Sequence, residues 1–331
     1  MGVNLILNVS FHHKLKEYTT TMKINYVLFV FALLGVCRCF QGVAASNKVG
    51  LPAYYATDTV PDTTRLRAKF ESMEALFDAR KTDSGFLYEL AVTAVRLKDS
   101  VEIRRVSAVY LKVIHDPFNK PALLVLSDCI TGTKDKVFEF FLQNRPKIDL
   151  VLGKGTAENR VEDVIFAERI FPLAAPYLKE KKPGSPDWHD IENRLSNEFG
   201  QLGLEKALNS EMLYNCSIEK DWKKFGMSYT RFFREFGVQF DDFLGGNNLA
   251  WIVFENVDDR TALETASQYM VHVLQIEPSN STYIDTYSNL LYKLGRKSDA
   301  ITLEEKAVQL SPKDTLIQEA LQKMRVGSKT W

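Results

Sequence analysis

Apolar residues recur at helical spacing along most of this chain, and almost no run alternates with the period of two that a half-buried strand requires. From Arg65 onward, Phe70, Met73, Leu76 and Phe77 follow the helical period. The pattern therefore predicts an all-α protein. Further helices are expected at about 85–97, 103–114, 121–130, 134–144, 160–178, 188–199, 202–216 and 222–236.

Prolines are expected to end several of these helices, because proline lacks a backbone N–H and its ring clashes with the preceding turn. Pro146 follows the helix at 134–144, and Pro172 and Pro176 lie near the end of the helix at 160–178. The sequence Lys-Pro-Gly-Ser-Pro at 182–186 is the strongest linker signal in the chain.

Pro278 and Pro312 lie 34 residues apart, and the residues before them align as two copies of one pattern, with Ala266 matching Ala300. A 34-residue period with matching small residues and a closing proline resembles the tetratricopeptide repeat, a helix–turn–helix unit. The resemblance implies a protein that binds other molecules rather than one that catalyses a reaction. The alternative is an ordinary pair of helical hairpins whose spacing coincides.

The two copies together cover residues 247–314. In the second copy, a helix at 283–294 and a helix at 297–310 are separated by Gly295, which permits the turn. The first copy departs from the pattern, because Phe254 stands where a small residue is usual and the turn contains no glycine.

Two repeats alone bury too little apolar surface for a stable array, so flanking helices are expected to complete it. The helix pair at 202–240 is interpreted as a degenerate repeat, and 315–324 as a terminal capping helix. The predicted fold is a helical hairpin array, an α-solenoid. Its expected regions are an upstream extension with a signal peptide at 1–45, an extended arm at 46–64, a helical region at 65–181, helical hairpins at 182–246, two repeats at 247–314, and a capping helix with a tail at 315–331.

The amino-terminal region has the pattern of an export signal. Met22 and Lys23 open a short positively charged region, and an apolar run of about eleven residues follows at 26–36. This run is too short to span a bilayer but suits the core of a signal peptide. Cleavage is expected after Ala45, which gives a periplasmic or secreted mature chain from Ser46. A lipid anchor at Cys37 fits the neighbouring residues poorly. No membrane span is expected in the mature chain.

Charge and cysteine content limit the functions that are expected for this protein. The chain has 42 basic and 42 acidic residues, so it lacks the excess of basic residues that is typical of proteins that bind nucleic acids or anionic membranes. After cleavage only Cys129 and Cys216 remain, and no C-x-x-C sequence survives. A single disulfide stays open as an alternative, but two free buried thiols are favoured because both cysteines lie in predicted helices.

No catalytic constellation is recognisable in the mature chain. Gly153-Lys154-Gly155-Thr156 lacks the spacing of a phosphate-binding loop, and the three remaining histidines are isolated from one another. We therefore expect no enzyme activity, no cofactor and no metal. An unrecognised hydrolase is the weakest of the alternatives.

The inner face of the repeats is the expected site for a protein or peptide partner. The candidates on the first helix of each copy are Asn248, Trp251, Glu255, Thr282, Asp285, Asn289 and Tyr292. Trp251 and Tyr292 could serve as aromatic anchors, although packing between repeats is the favoured use of both. Lysines that would capture a terminal carboxylate beside Asn289 are absent from these positions.

A second resemblance covers about residues 65–325. In order along the chain it rests on FESMEALF at 70–77, DPF at 116–118, KDW at 220–222, NNLAW at 247–251, FEN at 254–256 and LLYKLGRK at 290–297. This series is similar to the helical carboxy-terminal extension of exported thioredoxin-like proteins of Gram-negative bacteria. Only about twenty residues lie between Ala45 and Arg65, too few for a thioredoxin fold, so the redox activity of that family does not carry over.

Two functions follow from these patterns. The first is an exported helical module that binds a protein or peptide and has no catalytic activity of its own. The second is an accessory component of periplasmic thiol–disulfide exchange, which would dock on a thioredoxin-like partner or a folding client.

Overall fold

The computed structural model describes residues 63–179 and 184–331, and every regular element within these ranges is helical. The prediction of an all-α protein is therefore confirmed for this part of the chain. The chain divides between Pro186 and Asp187 into two compact units. The upstream extension, the signal peptide with Cys37, and the arm up to residue 62 lie outside the described residues.

The first unit is a succession of helices that pack against one another. Within it, α3 packs against α1, α4 and α5, and α6 packs against α4, α5 and α7. Leu87, Leu90 and Phe141 are completely buried in its core. Its helices are α1 (Thr63–Glu74), α2 (Phe77–Arg80), α3 (Ser84–Leu97), α4 (Ser100–Val113), α5 (Lys120–Asp128), α6 (Lys136–Leu152), α7 (Thr156–Ile165) and α8 (Phe171–Lys179), with a π-helical turn at Phe166–Ile170 between the last two.

The prolines of this unit have two different outcomes. The helix expected at 134–144 is interrupted at Asn144, where φ is −116° and ψ is 17°, and a second helical segment continues past Pro146 to Leu152. The kink accommodates the proline, and the chain beyond it gains the burial of Ile148. The prediction is wrong at Pro176, which lies inside α8 instead of ending it.

The second unit runs from Asp187 to Trp331. Its helices pack in order, α9 on α10 and α10 on α11, after which α11 packs on α13. Its members are α9 (Trp188–Phe199), α10 (Gln201–Tyr214), α11 (Trp222–Phe236), α12 (Phe243–Asn256), α13 (Arg260–Ile276), α14 (Ser281–Lys293), α15 (Lys297–Leu310) and α16 (Thr315–Arg325), with a π-helical turn at Asn215–Glu219 after α10.

An Asp or Asn side chain caps the beginning of many of these helices. In each case a side-chain oxygen accepts a hydrogen bond from a backbone N–H of the first turn, which would otherwise lack a partner. Each such cap stabilises its helix by about 1 kcal/mol. The capping residues are Asp83, Asp99, Asn119, Asp187, Asp221, Asp242, Asp259, Asn280 and Asp314.

Aromatic side chains on α11 form much of the core of the second unit. Tyr229 and Phe233 stack with ring centroids 4.3 Å apart, and Phe233 meets Tyr269 of α13 at 4.6 Å. Phe225 and Phe232 are completely buried beside them. Burial of each such ring contributes about 1.5–3 kcal/mol, so this seam holds α11 against α13.

The last four long helices form two successive hairpins. In the first, α12 packs on α13, and in the second, α14 packs on α15, with Gly295 between them at φ +86°. The helix α14 also contacts both α12 and α13, and α16 covers α15. Ala300 and Ala307 are completely buried on α15, where small side chains let neighbouring helices approach closely.

Candidate functional site

One face of α12 carries a stripe of accessible side chains, here called the α12 stripe, which consists of Leu244, Asn248, Trp251 and Glu255. Leu244, Asn248 and Glu255 are exposed and Trp251 is half-buried. Their spacing of four, three and four residues places them in one row about 16 Å long. The row includes three of the residues that the sequence proposed for partner binding.

The opposite face of α12 anchors the helix and so fixes the orientation of the stripe. Ala250, Val253 and Phe254 are completely buried there. Gly246 allows α12 to approach α13 closely, because a Cβ at this position would overlap the hydroxyl of Tyr269.

The predicted candidates on α14 point into the protein instead. Asn289 is 1% exposed, and its Nδ2 donates hydrogen bonds at 2.9 Å to both the backbone oxygen and Oδ1 of Asp285. Tyr292 is 3% exposed, and its hydroxyl donates to the backbone oxygen of Met324 at 3.3 Å. Thr282 is half-buried. In this conformation neither side chain is accessible to a partner, because Asn289 is enclosed with Asp285 and Tyr292 is covered by α16 and by the ring of Trp331.

A buried carboxyl pair joins α14 to α15 beside Asn289. Glu304 is completely buried, and the Ser288 hydroxyl donates a hydrogen bond to its Oε2. No donor meets the other oxygen, Oε1, within the described residues. Burial raises the pKa of Glu304 above the usual carboxyl range, and the nearby charge of Asp285 raises it further. Burial also raises the pKa of Asp285. Burial therefore favours the protonated form of the pair, and of Glu304 in particular.

The sequence contained a signal for this pair that the repeat pattern obscured. Glu304 follows Ala300 by four residues and precedes Ala307 by three, so it shares the buried face of α15 with the two alanines. An acidic residue between two small core positions indicates a buried, protonated or paired carboxyl group.

The tail after α16 returns to the junction of α12 and α14. The Trp331 ring lies 6.2 Å from Phe254 and 6.4 Å from Tyr292, measured between ring centroids. The ammonium groups of Lys293 and Lys329 lie 5.3 Å and 5.2 Å from the centre of the same ring. Nothing in the repeat pattern predicted this contact, because it joins residues far apart in the sequence.

Cys129 and Cys216 are free and buried, as the sequence favoured. Burial raises the pKa of Cys129 to about 12 and the pKa of Cys216 to about 11. Because the thiolate is the reactive form, neither thiol is prepared for nucleophilic or redox chemistry at neutral pH. Within residues 63–179 and 184–331, no group of three or more His, Cys, Asp or Glu side chains is arranged to hold a metal ion.

Comparison of the chain with protein-family models, curated proteins and solved structures gives no match. Across the described helices, none combines the length and the apolar character that a membrane crossing requires.

Proposed function

We propose that this chain is a helical repeat protein of the tetratricopeptide type that binds a protein or peptide segment along the α12 stripe and has no catalytic activity of its own. The observation that carries the proposal is the packing of the two hairpins, α12–α13 and α14–α15, with α14 contacting both helices of the preceding hairpin. Nearest-neighbour stacking of this kind is how helical repeats build an extended binding surface.

The chemistry of the stripe supports a peptide ligand. It presents a half-buried indole between an amide and a carboxylate, with an exposed leucine at its other end. A half-buried aromatic ring provides apolar contact area at low entropic cost, and the polar groups can bond to a peptide backbone. A row of about 16 Å accommodates about five residues of extended chain.

The packing of α11, the helix before α12, indicates where the regular repeats begin. In a regular array, α11 would pack on α12, the first helix of the next repeat, but among the helices that follow it α11 packs chiefly on α13. We therefore propose that the regular repeats begin at α12, that α10 and α11 form a modified flanking pair, and that α16 caps the other end.

The test is partner capture from the exported fraction with a stripe variant. The variant carries Asn248→Ala, Trp251→Ala and Glu255→Ala, and the matched control carries Gln268→Ala and Gln275→Ala, two exposed residues of α13. Thermal unfolding establishes that both variants fold. We expect the stripe variant to lose the partners that wild type and control retain. Recovery of the same partners by all three proteins would rule out the α12 stripe as the binding surface.

We also propose that the protein is exported, with its mature chain beginning at Ser46. Support comes from the apolar run at 26–36 and the small residues before Ala45. Mass spectrometry of the native amino terminus after cell fractionation tests this. A cytosolic protein that retains residues 22–45 would contradict it.

A further inference from the structure

The contact between Trp331 and the α12–α14 junction has the chemistry of a bound ligand. The indole ring meets two aromatic rings, Phe254 and Tyr292, and lies under the Lys293 ammonium group. Lysine over an indole is a favourable cation–π arrangement, and tryptophan is the best aromatic partner for it. With the ring in place, Phe254 is 0% and Tyr292 3% exposed.

The attachment of the tail depends on this side chain. Backbone hydrogen bonds from Gly327 to Met324 and from Ser328 to Lys323 close the end of α16. Beyond them, no backbone–backbone hydrogen bond to residues 329–331 occurs in the described part of the chain. The Thr330 hydroxyl is buried without a hydrogen-bond partner, and Trp331 keeps 38% of its surface exposed. A segment held in this way can leave without breaking the backbone ladder of any helix.

The occupied position is continuous with the α12 stripe. The rings of Trp251 and Phe254 lie 4.9 Å apart, and Phe254 in turn lies 6.2 Å from Trp331, so Phe254 links the stripe to the position of the tail. Two exposed carboxylates lie at this end of the helix, that of Glu255 and that of Asp258, which is 3.2 Å from the Lys293 ammonium group. They favour a basic residue near the incoming aromatic ring, as Lys329 is near Trp331 in the tail itself.

We propose that residues 327–331 are a built-in occupant of an aromatic-binding site formed by Phe254, Tyr292 and Lys293, and that a partner segment with a tryptophan near a lysine replaces them. The tail therefore competes with the partner in the same molecule. This inference rests on the proposed peptide-binding function and specifies the chemistry of its ligand.

The test uses a labelled peptide with the sequence of residues 327–331, Gly-Ser-Lys-Thr-Trp, and the full chain carrying Trp331→Ala. Wild-type protein is the comparison, and a peptide with alanine in place of tryptophan is the control probe. Because Trp331 is partly exposed and lies after the last helix, the variant retains the core. We expect the peptide to bind the Trp331→Ala protein at least tenfold more tightly than wild type, by fluorescence anisotropy, and the alanine peptide to bind neither.

Equal binding of the tryptophan peptide to the two proteins, or equal binding of the two peptides to the variant, would overturn the inference. A second variant, Lys329→Ala, weakens the tail contact without removing the indole, and we expect it to bind the peptide with intermediate affinity.

The outcomes of this test and of the partner-capture test distinguish the tail proposal from the proposed use of the stripe. If the peptide shows no preference but partner capture still depends on Asn248, Trp251 and Glu255, only the inference about the tail fails. If the peptide binds as expected but the stripe variant retains every partner, the proposed use of the stripe fails instead.

Discussion

Lys293 donates a hydrogen bond from Nζ to the backbone carbonyl oxygen of Phe254 at 2.8 Å and thereby ties α14 to the end of α12. The carbonyl belongs to the last turn of α12, where backbone oxygens lack partners within the helix. The lysine side chain is only 4% exposed, and its ammonium group also lies 3.2 Å from Asp258.

We expect Lys293→Met to lower the free energy of unfolding by about 1–3 kcal/mol, because a buried carbonyl oxygen loses a charged donor. The ion pair itself contributes little, since Asp258 is 92% exposed. Asp258→Asn is therefore the matched control, with an expected change below about 0.5 kcal/mol. Urea unfolding followed by circular dichroism measures both, and equal effects of the two substitutions would contradict the assignment.

The buried pair of Asp285 and Glu304 makes a prediction about pH. The folded state binds its proton more tightly than the unfolded chain, because burial raises the carboxyl pKa of both residues. Its contribution to stability is therefore complete below the ordinary carboxyl pKa of about 4.3 and is lost as the pH rises toward the raised value. The loss has a limiting slope of about 1.4 kcal/mol per pH unit for one proton.

We expect Glu304→Gln to remove much of this slope, so that the difference in stability between variant and wild type shifts in favour of the variant from pH ~5 to pH ~8. The amide can still accept from Ser288 and can donate toward Asp285. Glu305→Gln is the control, because Glu305 is partly exposed and pairs with Arg325. Urea unfolding across the pH range gives the comparison. Parallel curves for wild type and Glu304→Gln would show that the carboxyl pair does not hold the proton.

The state of the thiols yields a chemical prediction. Cys129 is completely buried and Cys216 is 8% exposed, and burial raises the pKa of both thiols well above neutrality. With Cys37 and Cys39 replaced by serine, we expect the folded protein to react very slowly with a thiol-specific disulfide reagent at pH ~8. After denaturation in urea, two thiols should react rapidly. Fast reaction of the native protein would show that a thiol is accessible.

A glycine in α10 tests the close packing of α9 against α10. A Cβ at Gly203 would overlap the backbone carbonyl oxygen of Leu195. Alanine favours a helix over glycine by about 1 kcal/mol, but the overlap forces the helices apart, which costs about 1–3 kcal/mol or more. We therefore expect Gly203→Ala to destabilise the protein, whereas Gln201→Ala at an exposed position should change the free energy of unfolding by less than about 0.5 kcal/mol. A more stable Gly203→Ala protein would show that α9 can move.

Local patterns predicted most helix positions because helical spacing, caps and turn residues act within a few residues of the chain. The helices at Trp188–Phe199, Trp222–Phe236 and Lys297–Leu310 have the predicted bounds. At Pro146 the predicted end of the helix coincides with the kink at Asn144, whereas at Pro176 the pattern failed, because the helix continues past the proline. A 34-residue period likewise indicated successive hairpins, but not which helix α11 would pack against.

The sequence by itself determined the all-helical character of the described residues and the burial of the two thiols, because both depend on short-range hydrophobic periodicity. Only the tertiary structure decided which polar residues remain accessible. Asn248 and Asn289 were equal candidates by their place on the first helix of a repeat, yet the first is exposed and the second is enclosed by Asp285 and its surroundings. That difference arises because α15 and α16 cover α14, and because Trp331 returns to Tyr292 from the end of the chain. Contacts between such distant segments depend on the whole arrangement of helices, which no local pattern encodes.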